Sequence, residues 1–237
     1  MGALKHIGRF SAKVAVAIAV VAGSAEVFNY VVQQRYVRPY VESNLETWIR
    51  EQEKKLGFKY EGRPNIRYDD QNRNRLDIIL DFNKFGLSFK DGGYYEPSNN
   101  TIHLPLNSDR INSIFSIGST NIYLAAITHH ELCHYYADKL SEDMGLGNFP
   151  KKEKDGKYNF EEWLLGEGIA EYCRIEMGFD YPSDYRHRLA YEMVKPIIKK
   201  HGAEGIKHMI RNPPKNLELP SDTVKYQRET LRALGDK

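Results

Sequence analysis

The sequence predicts an α+β fold in which a strand-bearing first half gives way to a wholly helical second half. Three observations carry this. Leu76, Ile78 and Leu80 alternate with Arg75, Asp77, Ile79 and Asp81, and the run GGYYEPSNNTIHLP reads as a hairpin, so strands fall before residue 105. Asn121 to Leu140 contains neither Gly nor Pro and is too long for a strand. Helical patterns then recur at about 161–177, 184–201, 203–212 and 221–234.

Composition narrows the function classes. The 237 residues carry 34 Lys+Arg against 32 Asp+Glu, a net charge of +2, without the concentrated basic face that nucleic-acid binding needs. At 41% hydrophobic and 28% charged, the chain reads as neither a multi-span membrane protein nor a disordered one. Two cysteines exclude a disulfide scaffold and a Cys-rich zinc finger.

Residues 1–35 read as a signal peptide or a membrane anchor. Lys5, Arg9 and Lys13 precede an apolar run from Val14 to Ala22, and Gly23, Ser24 and Ala25 offer a cleavage site. Extending the apolar stretch through Val27, Tyr30 and Val32 gives a segment of spanning length, although Glu26 and Asn29 interrupt it. A buried core helix is the third reading. Either leading reading places the rest of the chain outside the cytoplasm, secreted, periplasmic or membrane-attached through residues 14–32.

Residues 36–237 form one domain in this reading. Val41, Leu45, Trp48, Ile49 and Leu56 share a helical face between Pro39, suited to a first turn, and Gly57, suited to a stop. In the hairpin, a strand near Gly93 to Glu96 turns at Pro97-Ser98-Asn99-Asn100 into a strand from Thr101 to Leu104. Ser119 or Thr120 is suited to cap the helix that follows. The polar, glycine-bearing segment 141–160 is a loop, and 161–237 is a helical subdomain.

The chemistry lies in His130-Glu131-Leu132-Cys133-His134, an HExxH motif. Residues four apart on a helix point the same way, so both imidazoles reach one ion while Glu131 flanks it. Zinc accepts imidazole nitrogen and carboxylate oxygen, and a catalytic site keeps three protein ligands and one open position. A third ligand is therefore required. Glu162-Trp163-Leu164-Leu165-Gly166-Glu167-Gly168-Ile169-Ala170-Glu171-Tyr172 supplies candidates, because Glu167 and Glu171 share a helix face. One can bind the metal while the other accepts the free N–H of a ligating histidine.

The two motifs together resemble those of the gluzincin metallopeptidases, whose second helix commonly reads W-L-x-E-G-x-A-x-Y. Glu167, Gly168, Ala170 and Tyr172 match it in register and Trp163-Leu164 matches its first pair one residue early, although the 32 residues between His134 and Glu167 exceed the tightest spacing. The resemblance spans roughly residues 90–212, with firm matches at the two motifs. It implies a zincin-like fold, one Zn2+ per chain held by His130, His134 and Glu167, Glu131 as general base and Glu171 as partner of a ligating ring. Peptide or protein is the implied substrate. It also suggests Tyr191 as an oxyanion donor, with an ordinary packed tyrosine as the rival account. Thr101, Ile102, His103 and Leu104 are the implied edge strand for an extended substrate, against plain hairpin packing.

Other residues carry less. His129 points about 100° away from the ligand face and reads as a supporting or exposed residue. Asp138 is placed to support His134 or to replace Glu167 as ligand. Cys133 reads as a small core residue, and a Cys133–Cys173 bridge is conceivable in an oxidising compartment. His103, His187, His201 and His208 lack ligand spacing. The rival functions are a non-catalytic zinc-binding envelope or scaffold module, and an interaction domain with a coincidental HExxH.

Overall fold

The computed structural model describes residues 33–60, 62–69, 93–105, 117–151, 158–179, 185–215, 217 and 220–235. The N-terminal segment and the alternating run at 75–81 lie outside these. Among the described residues no helix is long and apolar enough to cross a membrane.

After a π-helical turn at Gln33–Val37, helix α1 spans Arg38–Leu56 with Pro39 in its first turn. It stops at Gly57, whose φ of 70° is the left-handed conformation glycine adopts freely and whose N–H reaches Glu53 O at 3.0 Å. Three strands follow: β1 (Asn65–Asp69), β2 (Tyr94–Glu96) and β3 (Thr101–Pro105). Between β2 and β3 a 3-10 turn at Pro97–Asn99 ends on Asn100 with φ 53°. Four helices complete the fold: α2 (Ile117–Asp143), α3 (Phe160–Glu176), α4 (Tyr185–Arg211) and α5 (Pro220–Ala233). This is the expected mixture of a small sheet and a helical second half.

Two expectations need correction. Strand β3 is central, because β1 pairs with it in parallel and β2 in antiparallel register, giving the order β1-β3-β2. Thr101 to His103 therefore have a paired strand on both sides and Leu104 pairs with Tyr68 of β1, so this strand is not the edge. Among the described residues the edges are β1 and β2. The error traces to β1, whose Ile66 and Tyr68 alternate with Asn65, Arg67 and Asp69 over only five residues. Helix α2 also starts at Ile117, so Ser119 and Thr120 stand inside it and not at its cap.

Helix α2 lies between two apolar clusters, which explains why it is apolar on nearly every side. Leu124, Ala125, Leu132 and Tyr135 pack with Trp48 and Ile49 of α1 and with Tyr95, Ile102 and Leu104 of the sheet. Cys133, Tyr136, Ala137 and Leu140 pack with Leu165, Ile169 and Ala170 of α3 and with Val194 and Ile197 of α4. Asn159 caps α3 by accepting the Glu162 N–H at 3.0 Å. Within α4, Gly202 (φ 53°, ψ −133°) separates two helical stretches at the expected break.

Cys133 and Cys173 form a disulfide between α2 and α3, 40 residues apart in sequence. The bridge lies in the core, with both cysteines fully buried. A Cβ at Gly168 would stand 2.6 Å from the Ala190 carbonyl oxygen, so the close approach at this glycine is to α4 and not to the HExxH helix. Gly168→Ala is expected to lose about 1–3 kcal/mol of stability by forcing α3 and α4 apart, read from urea unfolding. The double variant Cys133→Ala/Cys173→Ala is expected to lose about 2–4 kcal/mol in the same measurement.

Candidate metal centre

Both motif histidines project from the middle of α2, and Glu167 projects from α3 toward them. His130 Nε2 and His134 Nε2 are 3.2 Å apart, His130 Nε2 is 3.3 Å from Glu167 Oε2, and His134 Nε2 is 3.7 Å from the same oxygen. Ligands about 2.0–2.1 Å from a tetrahedral zinc lie about 3.3 Å from one another. The triangle therefore has the dimensions of three corners of one coordination tetrahedron. The three side chains are 12–14% exposed, so the triangle is partly shielded from solvent without being sealed from it. Two imidazole nitrogens and one carboxylate oxygen also form a donor set suited to zinc.

Glu171, one turn beyond Glu167, sits behind the first imidazole with Oε1 3.5 Å from His130 Nδ1. It is buried, contrary to the habit of a helical carboxylate. Arg174, also buried, compensates it: Nε donates to Glu171 Oε2 at 3.2 Å, Nη2 donates to the same oxygen, and Nη1 donates to the Phe179 carbonyl. Burial raises the Glu171 pKa, but the His130 and Arg174 contacts outweigh it and bring the group to about 2. The i, i+3 spacing of Glu171 and Arg174 is a sequence signal that could have revealed this pair.

Glu131 is nearly fully buried where α2 meets β2. Its carboxylate accepts the backbone N–H of Tyr95, and burial raises its pKa despite the two neighbouring imidazoles. Gly93 makes this proximity possible: a Cβ there would stand 2.7 Å from Ile127 Cγ2, 2.8 Å from His103 O and 3.4 Å from Glu131 Cγ.

His187, which showed no ligand spacing in the sequence, reaches the site. Its Nε2 lies 3.1 Å from Glu167 Oε2, and its ring meets Trp163 edge-on at 6.1 Å. No local pattern signals this, because the contact joins the first turn of α4 to α3 across 20 residues. Tyr191 lies one turn beyond His187 on α4. It is buried in the helical core with Lys195 Nζ 4.9 Å above its ring, which is the packed-tyrosine account.

The remaining candidates have other roles. Asp138 Oδ2 accepts from the Tyr95 hydroxyl at 2.8 Å and Oδ1 from the Phe149 N–H at 2.8 Å, so it ties loop and sheet to α2. His129 is not exposed; it is buried between Trp48 and Phe179, and burial lowers its pKa to about 4. His103 stacks on Tyr94 at 4.2 Å and pairs with Glu96 at 3.2 Å. His201 and His208 both lie in α4, on either side of its Gly202 break.

Comparison with protein-family models, with curated proteins and with solved structures gave no match. The functional reading thus rests on the residues themselves.

Burial pulls the His130 imidazole toward its neutral form, yet hydrogen bonds to Glu167 and Glu171 and the charge of Glu131 raise its pKa to about 10. At neutral pH a cation must therefore displace a proton from this ring. Apparent zinc affinity is expected to rise with pH, by up to about tenfold per unit, levelling off above the His130 pKa. Calorimetric titrations in buffers of different ionisation enthalpy check this by counting the protons released near pH 7.

Proposed function

We propose that the chain is a zinc-dependent peptidase of the gluzincin kind, on a zincin-like α+β fold. The observation that carries this reading is the cation-sized triangle of His130, His134 and Glu167, with Glu131 next to it on the same helix. One Zn2+ held there supplies Lewis acidity, polarising a peptide carbonyl and making water more acidic.

The chain's own residues supply the rest. Glu131 has a pKa raised by burial, which suits a carboxylate that accepts a proton from attacking water and returns it to the departing amine. The Tyr95 N–H fixes its orientation. Glu171 accepts the Nδ1–H of His130, leaving the Nε2 lone pair toward the cation. Arg174 keeps Glu171 anionic for that task. An extended peptide would lie along β2, the strand beside Glu131, and pair with it through main-chain groups. The bridge between Cys133 and Cys173 supports a location in an oxidising compartment, in keeping with export or membrane attachment through the N-terminal segment.

Purified protein with one equivalent of zinc is expected to hydrolyse casein or a mixed peptide library, and a chelator is expected to stop it. Glu131→Gln is expected to retain zinc, because residue 131 is not a ligand, while losing at least about a hundredfold in rate. Hydrolysis that survives both treatments overturns the assignment. Stoichiometric zinc without turnover of any peptide favours the non-catalytic module instead.

A further inference from the structure

The contact between His187 and Glu167 gives the tryptophan and glycine of the second motif a joint purpose. Glu167 offers the cation one oxygen, Oε2, which faces both imidazoles. A carboxylate turns easily about its last side-chain bond, where the torsional preference is broad and roughly two-fold. Left alone, it would exchange oxygens and blur the third corner of the triangle. His187 Nε2 stands 3.1 Å from that same Oε2. A carboxylate oxygen has a lone pair for a cation and another for an N–H donor, so both contacts can hold together.

Two features of α3 bring His187 to this place. Gly168, next in sequence to Glu167, carries no side chain where a Cβ would meet the Ala190 carbonyl oxygen at 2.6 Å. Helix α4 can therefore approach α3 at Ala190, one turn beyond His187. Trp163, one turn before Glu167, presents its ring at 75° to the imidazole with centroids 6.1 Å apart, and Phe160 backs it at 6.0 Å. The indole limits rotation of the His187 ring. Trp163, Glu167 and Gly168 thus form one seat for the first turn of α4.

We propose that His187 is a positioning residue: its Nε2–H holds the ligating oxygen of Glu167 toward the two imidazoles and so sets the affinity and geometry of the metal centre. The inference rests on the zinc reading above. It assigns His187 no place among the ligands. Partners that orient a ligand typically change metal affinity by about 10–100-fold when removed.

The test is competition of the full chain with a chromophoric zinc chelator, together with zinc X-ray absorption to count coordinated imidazoles. His187→Phe is expected to weaken zinc binding about 10–100-fold while the metal-free protein melts at the wild-type temperature. His187→Gln, which keeps an N–H donor, is expected to recover most of the loss. Two imidazoles are expected in wild type and in both variants. Unchanged affinity in His187→Phe overturns the proposal, as does a glutamine variant no tighter than the phenylalanine one. Three imidazoles in wild type falling to two in His187→Phe also overturns it, making the residue a ligand. That count, and the comparison of wild type with His187→Gln, remain decisive should His187→Phe fail to fold. A wild-type chain that binds no zinc refutes the metal reading itself, an outcome separate from these.

Discussion

In the metal-centre reading proposed above, two nitrogen atoms and one oxygen from two helices meet within the span of a single cation, and much of the described structure serves that arrangement. Helices α2 and α3 are far from each other along the chain, being joined by a long polar loop. The Cys133–Cys173 bridge and the shared cluster of Tyr136, Leu165 and Ile169 hold them side by side. On its other flank α2 is fixed by α1, where Gln52 Nε2 donates to the His129 carbonyl at 2.8 Å and Trp48 meets the His129 ring. The positions of the imidazoles are thus determined by packing on both sides of α2. A preformed ligand set of this kind leaves a cation little conformational ordering to do.

The same arrangement concentrates ionisable groups where they are costly. Glu131 and Glu171 are buried and Glu167 is only 13% exposed, and an isolated carboxylate in such surroundings would take up a proton. Each is matched differently. Glu171 has His130 and Arg174, and its pKa falls. Glu167 has three imidazoles around one oxygen, which outweigh its burial and hold it well below the usual carboxylate range. Glu131 has a backbone N–H and the more distant imidazole charge, so burial prevails and its pKa rises. Carboxylates on two neighbouring helices are thereby driven apart in acidity. That division separates a group fit to ligate from one fit to exchange a proton.

Legibility in the sequence followed the range of the interaction. His130 and His134 could be read because helical spacing alone puts them on one side of α2, with Glu131 flanking them. Glu167 and Glu171 could be read for the same reason on α3, and both fall within reach of the first imidazole. The turn at Pro97 to Asn100 is local chemistry and was equally plain. What escaped was non-local. The central place of β3 depends on β1, which pairs with it in parallel across more than thirty residues. His187 depends on how closely α4 can pass Gly168, a property of two surfaces and not of a spacing. Tyr191 was an attractive candidate because it follows the second motif, but its own helix turns it into the apolar core.

Tyr95 grips α2 at two points seven residues apart, through its N–H to Glu131 and its hydroxyl to Asp138. Both grips belong to one residue of a three-residue strand at the rim of the sheet. The location of the Glu131 carboxylate is consequently registered to the sheet as well as to its own helix. Anything that slid this short strand along its axis would tug the two anchor points together, so the rim and the acid respond to a load as one stiff part.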